Sequence, residues 1–307
     1  MSRFKIATSL SLSLLLLMFA GGVRAGTLYV NCGGKGPFTS IRAALKALQQ
    51  VPGPSTINVS GTCNENVVIQ SIDHLTLNAA PGASINDISG GNADTVDIAD
   101  SPSVSLNNFT INGGADGVVC LDGSLCRLNG NTVQGAGVGV LAAALSRIFV
   151  SGGTLQNNST GLLVVYGGGA KAMGVLIQNN VNGVELRSQG VLNTDATIAN
   201  NSASGVFASH NSTLNCIGCT VTGNGILGIV VRRNSTARFS GGVAITGNAG
   251  GGVLLTEESS AYFPSLGNVT GNTGGLDVAC GASATTAKFA TTNIGGGTTN
   301  CVEPIDP

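Results

Sequence analysis

The chain is poor in charge and in large aromatic residues. Charged residues make up 9% of its 307 residues, about a third of the usual share, and tryptophan is absent. No basic block occurs after residue 24, so nucleic acid and anionic membranes are not expected partners. Only two histidines and one closely spaced cysteine pair are present, which argues against a zinc site, and no metal or cofactor is expected.

The 47 glycines and the low charge raise the question of disorder. However, 42% of the residues are hydrophobic, and aliphatic residues recur at regular positions in the second half of the chain. Disordered chains lack this content, so the composition indicates a packed core.

The N-terminal segment predicts export. Arg3 and Lys5 precede an apolar run from Leu10 to Ala20, and Val23-Arg24-Ala25 has the small or medium residues that a signal peptidase reads. This run is shorter than the ~20 residues needed to cross a bilayer, and no other stretch approaches that length. We therefore predict a cleaved signal peptide over residues 1–25, no membrane span, and a secreted or periplasmic chain. Removing the peptide leaves 11 of the 14 basic residues against 15 acidic ones, a net charge of −4.

All eight cysteines follow the predicted signal, and an even number in an oxidising compartment predicts disulfides. Neighbouring cysteines suggest one pairing among the 105 that eight cysteines allow. Cys216-Ile217-Gly218-Cys219 is then a local staple rather than a redox pair or half a zinc site. The suggested pairs are Cys32–Cys63, Cys120–Cys126, Cys216–Cys219 and Cys280–Cys301.

Glycines recur with a period of 22 to 24 residues through the second half, and each is followed by an aliphatic residue. A fixed period in the twenties without a helical pattern indicates a stacked repeat fold. About three short strands fit into one period, which excludes a helical solenoid and favours a parallel β-helix. The glycines are Gly117, Gly139, Gly161, Gly183, Gly205, Gly228, Gly252 and Gly275.

The glycines also supply a register for the side chains. Residues one and three places after each glycine are mostly aliphatic, from Val118 and Cys120 to Leu276 and Val278, so both columns are predicted to point inward. Asparagines occur four places before five of the glycines, where they would tolerate left-handed backbone and form amide ladders along the stack. These are Asn157, Asn179, Asn201, Asn224 and Asn248.

The N-terminal end is predicted to be covered by a helix. Thr39 or Ser40 can cap a helix that carries apolar residues at helical spacing and that ends at Pro52-Gly53-Pro54. Thr56 to Ser60 is the first predicted strand. The predicted organisation is an N-terminal strand and capping helix over 26–55, a parallel β-helix over 56–290 and a tail over 291–307, tied back by Cys301. The apolar residues of the helix are Ile41, Ala44, Leu45, Leu48 and Val51.

Two segments resemble a known superfamily. Phe38-Thr39-Ser40-Ile41-Arg42-Ala43-Ala44-Leu45 resembles the opening of pectin methylesterases, and Gly61-Thr62-Cys63-Asn64-Glu65-Asn66-Val67 is similar to the strand that follows there. With the repeats, the chain resembles the pectin-lyase-like superfamily. The resemblance implies an all-β, right-handed parallel β-helix with an N-terminal capping helix. It implies no single activity, because this superfamily holds lyases, hydrolases, esterases, epimerases, adhesins and non-catalytic members.

Most enzyme motifs of that superfamily are missing from the sequence. The Asp-Phe-Ile-Phe-Gly stretch of pectin methylesterases is absent, and so are the paired aspartates and Gly-His-Gly of polygalacturonases. Asn193-Thr194-Asp195 matches one polygalacturonase motif, but the only Arg-x-Lys, Arg3-Phe4-Lys5, lies in the signal. Tryptophan-containing pectate lyase motifs are excluded. The sequence therefore leans towards a non-catalytic protein.

Side chains two, four and five places after each glycine are predicted to face outward or to begin a turn. From the fourth coil on, this face is ionic, and His210, Arg233 and Glu257 are predicted to share one column. The ionic face is interpreted either as a groove for an acidic or neutral glycan, held by Arg187, Arg232, Arg233 and Asp277, or as a solvated ladder of mutually paired surface charges without a further role. His210, Glu185 and Glu257 are the candidates for proton transfer.

The early coils carry apolar residues at the same outward positions. This strip is predicted either to lie under the C-terminal tail or to dock another protein. The predicted function is a secreted, non-catalytic protein that binds carbohydrate or a cell-surface component. A polysaccharide lyase or hydrolase using the ionic face is the alternative, and a structural or adhesive surface module is the third. The strip consists of Val119, Leu121, Leu141, Leu163 and Val165.

Overall fold

A computed structural model describes residues 26–48, 53–281, 286–288 and 291–302. The predicted signal peptide and two residues at the predicted helix end, Val51 and Pro52, lie outside this part. Within it the chain forms short strands, one α-helix and one 3-10 helix. In chain order these are β1 Gly26–Cys32, α1 Ile41–Leu48, β2 Ser55–Asn64, β3 Val67–Gln70, β4 Leu75–Ala79, β5 Ser84–Asn86, β6 Val96–Ala99, β7 Val104–Asn107, β8 Thr110–Asn112, β9 Asp116–Leu121, β10 Leu125–Asn129, β11 Thr132–Gln134, β12 Val138–Ala142, β13 Arg147–Ser151, β14 Thr154–Gln156, β15 Thr160–Val164, β16 Gly169–Met173, β17 Leu176–Gln178, β18 Asn182–Leu186, β19 Val191–Thr194, β20 Thr197–Ala199, β21 Val206–Ala208, β22 Thr213–Ile217, β23 Thr220–Thr222, β24 Ile229–Val231, β25 Thr236–Ser240, β26 Ala244–Thr246, β27 Val253–Leu255, β28 Ser260–Tyr262, β29 Asn268–Thr270, β30 Val278–Cys280, β31 Thr286–Lys288 and the 3-10 helix Thr291–Ile294.

The strands coil into three parallel sheets, which confirms the predicted all-β parallel β-helix. Each coil adds one strand to sheet A, one to sheet B and one to sheet C, and every pairing is parallel. Sheet A starts at β1 and sheet C at β3. β2 bends from sheet A into sheet B, pairing with β4 before the bend and with β5 after it. Sheet C contains ten strands within the described residues, namely β3, β6, β9, β12, β15, β18, β21, β24, β27 and β30.

The inward columns form the core, as the glycine register predicts. Val118, Val140, Leu162 and Val184 stack in one column of sheet C with no exposed surface. Each coil alone exposes its apolar face, and stacking removes that face from water.

The register prediction is wrong at the last coil. Val278 pairs with Val253, so the residue beside Gly252 in the next coil is Asp277. Gly275 lies outside this column. The corner before β30, residues 271–277, is one residue longer than the corner before β27, residues 247–252, and this extra residue accounts for one of the two positions by which the register is shifted. Asp277 therefore lies in the column of the repeated glycines, and not on the outward face of sheet C where the spacing predicts it.

An asparagine ladder runs along the corner between sheets B and C, here called the B–C corner. From Asn180 on, each side-chain oxygen accepts from the backbone N–H and the amide of the asparagine one coil earlier; Asn180 donates to Asn201 Oδ1 by both groups at 3.0 Å. The second amide hydrogen binds a backbone carbonyl, such as Leu155 O from Asn180 at 3.0 Å. The ladder consists of Asn158, Asn180, Asn201, Asn224, Asn248 and Asn272.

The prediction of an amide ladder is confirmed for Asn201, Asn224 and Asn248. In the two earlier coils the buried ladder residue is one place later, because Asn157 and Asn179 occupy a left-handed turn position with φ of 57° and 56°. The repeated glycine belongs to the same arrangement. A Cβ on Gly183 would lie 2.8 Å from Asn201 Nδ2 and 2.7 Å from Ile198 Cγ2, so a larger residue would collide with the ladder.

Asp277 ends the ladder. Its Oδ1 accepts from Asn272 N at 3.1 Å and Asn272 Nδ2 at 2.8 Å, and its Oδ2 accepts from Thr298 N at 2.9 Å and Thr298 Oγ1 at 3.0 Å. Burial opposes its charge, but these hydrogen bonds outweigh burial and hold the pKa of Asp277 below its ordinary value. A carboxylate suits this end because it only accepts hydrogen bonds.

The capping helix α1 covers the first coil, as predicted. Ile41, Ala44, Leu45 and Leu48 are buried on one face. Ser40 Oγ accepts from Ala43 N at 3.2 Å. The buried carboxylate of Glu65 caps the same end, accepting from the backbone N–H of Ile41 at 2.7 Å and of Arg42 at 3.0 Å.

The four suggested disulfides are confirmed: Cys32–Cys63, Cys120–Cys126, Cys216–Cys219 and Cys280–Cys301. Such a set is typical of an oxidising compartment. The last bridge ties the tail to β30, and Ile294 is buried against the final coil. Among the described residues, no helix has both the length and the hydropathy needed to span a membrane.

Candidate functional site

The outward face of sheet C, here called the C face, changes character along the helix axis. Over the seven coils from β9 to β27 its central column runs from apolar to mixed residues with direct strand pairing, and the pairing continues to Asp97 and Val68 before them and to Ala279 after them. The column two residues later follows the same change. The central column is Val119, Leu141, Leu163, Glu185, Phe207, Val230 and Leu254. The later column is Leu121, Ala143, Val165, Arg187, Ser209, Arg232 and Thr256.

The corner between sheets C and A, here called the C–A corner, is a stack of tight turns with two successive left-handed residues. This is the type I′ geometry, which usually selects Asn-Gly or Asp-Gly and costs other residues about 1–2 kcal/mol each. Hydrogen bonds between coils hold it here; Asn211 N donates to Arg233 O, and Asn234 N to Glu257 O, both at 3.0 Å. The turns are Asp122-Gly123, Ala144-Leu145, Tyr166-Gly167, Ser188-Gln189, His210-Asn211, Arg233-Asn234 and Glu257-Glu258.

This corner brings His210, Arg233 and Glu257 into one column, as predicted from their spacing. Arg233 Nε donates to Glu257 Oε2 at 3.0 Å, and Arg233 Nη1 lies 2.7 Å from His210 Nε2. Because a guanidinium only donates, His210 Nε2 accepts, and the ring carries its proton on Nδ1, 3.0 Å from Ser209 Oγ. Arg233 therefore bridges the neutral His210 ring and the Glu257 carboxylate along the corner.

Glu185 and Arg187 form a second ion pair on the C face. Glu185 Oε2 lies 2.5 Å from Arg187 Nη2. Glu185 Oε1 accepts from Asn182 Nδ2 at 2.8 Å and Thr160 Oγ1 at 3.3 Å. The Glu185 side chain is only 8% exposed, so its carboxylate is held by three partners rather than presented to solvent.

Phe207 is a residue that the sequence analysis missed. Its partly exposed ring lies between two guanidinium groups, with Arg232 Cζ 4.6 Å and Arg187 Cζ 5.9 Å from the ring centre. Both distances suit cation–π attraction. The sequence carries the signal, because Phe207 stands two places after Gly205, in the predicted outward column.

Arg232 is the uncompensated cation of this face. Arg187 pairs with Glu185 and Arg233 with Glu257, whereas Arg232 has no ion pair within the described part of the chain. Its Nε atom is buried and has no hydrogen-bond partner there. The terminal nitrogens of Arg232 are not buried, and the residue is partly exposed, so these nitrogens are the donors that an oxygen ligand can reach.

Aspartates cluster at the N-terminal end of the C face, outside the sequence-predicted site. Burial, and then the carboxylate of Asp94, raise the pKa of Asp116 to about 6. Burial, followed by Asp94 and Asp122, also raises the pKa of Asp97, whose buried Oδ1 has no hydrogen-bond partner in the described structure. None of these aspartates forms an ion pair among the described residues. Their environment depends on packing between coils, which residue spacing does not report.

Two expectations for the C face are corrected. Asp277 does not join Arg187, Arg232 and Arg233, because the shifted register makes it the end of the asparagine ladder. The described tail does not cover the apolar strip, because Thr298 and Thr299 lie against Asp277 and Val278 at the last coil. Residues 303–307 lie outside the described structure. Val119 and Val165 are nevertheless 1% and 8% exposed, so only part of the strip is open.

Other candidate motifs have structural roles. Asn193, Thr194 and Asp195 lie at sheet A, where Thr194 Oγ1 donates to Ala172 O and Asp195 Oδ1 accepts from Gly174 N. Within the described residues, one grouping could be considered for a metal: Cys32, Cys63 and Glu65. Its sulfurs form a disulfide and its carboxylate caps α1, so its ligand atoms are already occupied.

Comparison with known proteins establishes the handedness of the coil. Residues 94–244 match the family model described as the right handed beta helix region. The chain therefore has a right-handed parallel β-helix fold. No curated protein sequence matches this β-helix.

Solved structures include other proteins of similar shape. The crystal structure of pectate lyase Pel9A aligns with a TM-score of 0.58 and 11% identity, covering 88% of this chain and 80% of that chain. The Azotobacter vinelandii mannuronan C-5 epimerase AlgE6 A-module aligns with a TM-score of 0.49 and 14% identity, covering 81% and 87%. At such identity the likeness to the lyase shows the fold, and function depends on the residues of the C face.

Proposed function

We propose that the protein is exported and binds acidic polysaccharide on the C face without turning it over. The observation that carries this proposal is Phe207 between Arg187 and Arg232, with Arg232 lacking an ion pair among the described residues. A sugar ring presents C–H groups that pack on an aromatic face. The flanking guanidinium groups donate hydrogen bonds in the planar arrangement that carboxylates accept.

The charge balance favours an anionic sugar. In the coils around Phe207, Glu185 and Glu257 neutralise Arg187 and Arg233, which leaves Arg232 as the cation of this cluster without an ion pair among the described residues. One uronate carboxylate would neutralise it. The candidates for proton transfer support binding rather than catalysis, since Glu185 is held by three partners and the His210 Nε2 lone pair is directed at Arg233. Export is supported by the predicted signal peptide and the four disulfides.

Calorimetric titration with oligogalacturonate tests this proposal. We expect Phe207→Ala and Arg232→Ala each to weaken binding at least tenfold, because one removes the packing surface and the other removes the unmatched charge. The matched control is Phe149→Ala, since Phe149 lies on sheet A with Arg127 Cζ 5.8 Å from its ring centre, and it should bind like wild type. Equal affinity in all four proteins, or no binding by wild type, would contradict the proposal.

One observation favours a polysaccharide-cleaving enzyme as the second candidate. With a pKa of about 6, Asp116 retains a proton more readily than ordinary aspartates, as a general acid must. It begins β9, four coils from the β21 strand of Phe207, so the two residues are about 19 Å apart along the axis. A sugar chain anchored at Phe207 could reach it. This candidate would be favoured if shorter oligosaccharides appear during the titration of wild type and do not appear with the Asp116→Asn variant.

A further inference from the structure

The B–C corner carries a second column of asparagines, directly before the buried ladder. Asn157, Asn179 and Asn200 are exposed and left-handed, with φ of 57°, 56° and 55°. Glycine adopts this backbone without the Cβ penalty, so the turn itself does not require asparagine. In five other coils the same position is a glycine with positive φ: Gly113, Gly135, Gly223, Gly247 and Gly271.

The side-chain amides of these three asparagines are unpaired in the described structure. The ladder amides beside them have both hydrogens and the oxygen bound, as for Asn180. By contrast, no hydrogen bond of the described residues involves the amide of Asn157, Asn179 or Asn200. Each therefore presents two donors and one acceptor to solvent.

The three amides line an open depression of about 690 Å³. Ser159, Ser202 and the side chain of Val181 contribute to the same surface, and no charged residue lines it. Successive coils are ~4.8 Å apart. That repeat is close to the distance between neighbouring sugars in an extended β-linked chain, so one sugar can meet one amide per coil.

We infer that the B–C corner binds an uncharged sugar chain bearing hydroxyl or acetamido groups, aligned with the helix axis. Each asparagine amide can donate a hydrogen bond to one sugar and accept a hydrogen bond from it. Hydroxyl and acetamido groups can likewise both donate and accept. Uronates are disfavoured, because a carboxylate in this depression would have no cation to compensate for the loss of water. The site lies at the opposite edge of sheet C from the C–A corner and does not depend on the proposed function of the C face.

The test is calorimetric titration of the intact protein with cellohexaose and with chitohexaose, which separate hydroxyl from acetamido recognition. The triple variant Asn157→Gly, Asn179→Gly, Asn200→Gly should fold, because glycine occupies this position in the neighbouring coils. We expect it to bind the preferred hexaose at least tenfold more weakly than wild type. The control is Asn108→Gly, an exposed left-handed asparagine at the corner between sheets A and B, with φ of 63°. Its affinity should be unchanged.

A single substitution covers the case in which the triple variant misfolds. Asn179→Asp keeps a residue that tolerates the left-handed backbone but removes both donors, and binding should weaken several-fold. The inference is supported if either hexaose binds and these variants weaken it. It is overturned if wild type binds neither hexaose, or if the folded variants bind as tightly as wild type.

Discussion

Asn179 and Asn180 are neighbours in the chain and have opposite surroundings. Asn180 is 2% exposed, and both its amide hydrogens and its oxygen are bound within the ladder. Asn179 is exposed, and its amide is unpaired in the described structure. The left-handed φ of Asn179 turns the chain, so that the next side chain enters the stack while its own stays outside. The same residue type therefore stabilises the fold at one position and leaves binding groups open at the next.

The largest loss of stability is expected from a substitution in the middle of the asparagine ladder. Asn201→Ala would remove the acceptor of Asn180 and the donor to Asn224, leaving several buried polar groups without partners. We expect a loss of about 3 kcal/mol in the free energy of unfolding, measured from urea denaturation curves. Asn200→Gly, one residue away, is the control. A loss below about 1 kcal/mol in Asn201→Ala would contradict a stabilising ladder.

A smaller effect is expected at the end of the same column. Asp277→Asn would turn an amide hydrogen towards donors of Asn272 or Thr298, at an expected cost of about 2 kcal/mol at pH 7. Because the pKa of Asp277 is lowered in the folded state, its ionised carboxylate stabilises the fold at pH values above 3.8, the ordinary pKa of this side chain. The advantage of wild type over the variant should shrink as pH falls through the lowered pKa. Unfolding midpoints that differ equally at all acidic pH values would contradict this.

The smallest effect is expected in the exposed column. Asn179→Gly removes an unpaired amide from a position where neighbouring coils carry glycine, so the free energy of unfolding should change by less than about 0.5 kcal/mol. Asn180→Gly is the matched variant and should be clearly destabilised. Similar denaturation midpoints for the two variants would erase the distinction between the columns.

The sequence predicts the repeated parts of this fold better than its exceptions. Regular glycines place Val118, Leu162 and Val184 in the core because each coil repeats the same contacts. The longer corner before β30 breaks that periodicity, so the glycine spacing predicts the wrong surface for Asp277. A count of residues cannot detect where a corner absorbs an extra residue.

The candidate site was predicted in part. Spacing alone brings His210, Arg233 and Glu257 together, because strand stacking converts period into distance. Phe207 lies in the same outward register and could have been predicted there as an aromatic residue. The left-handed turn at Ala144-Leu145 has none of the usual turn residues, and hydrogen bonds between coils impose it. Such contacts exist only once the coils are stacked.

The most direct test of the proposed function is a crystal structure of the protein with bound trigalacturonate. The account predicts one sugar ring over Phe207, with its carboxylate accepting from Arg232 and the remaining sugars following the C face along the helix axis. A ligand bound only at another surface, or an unoccupied C face in crystals soaked at saturating concentration, would contradict it.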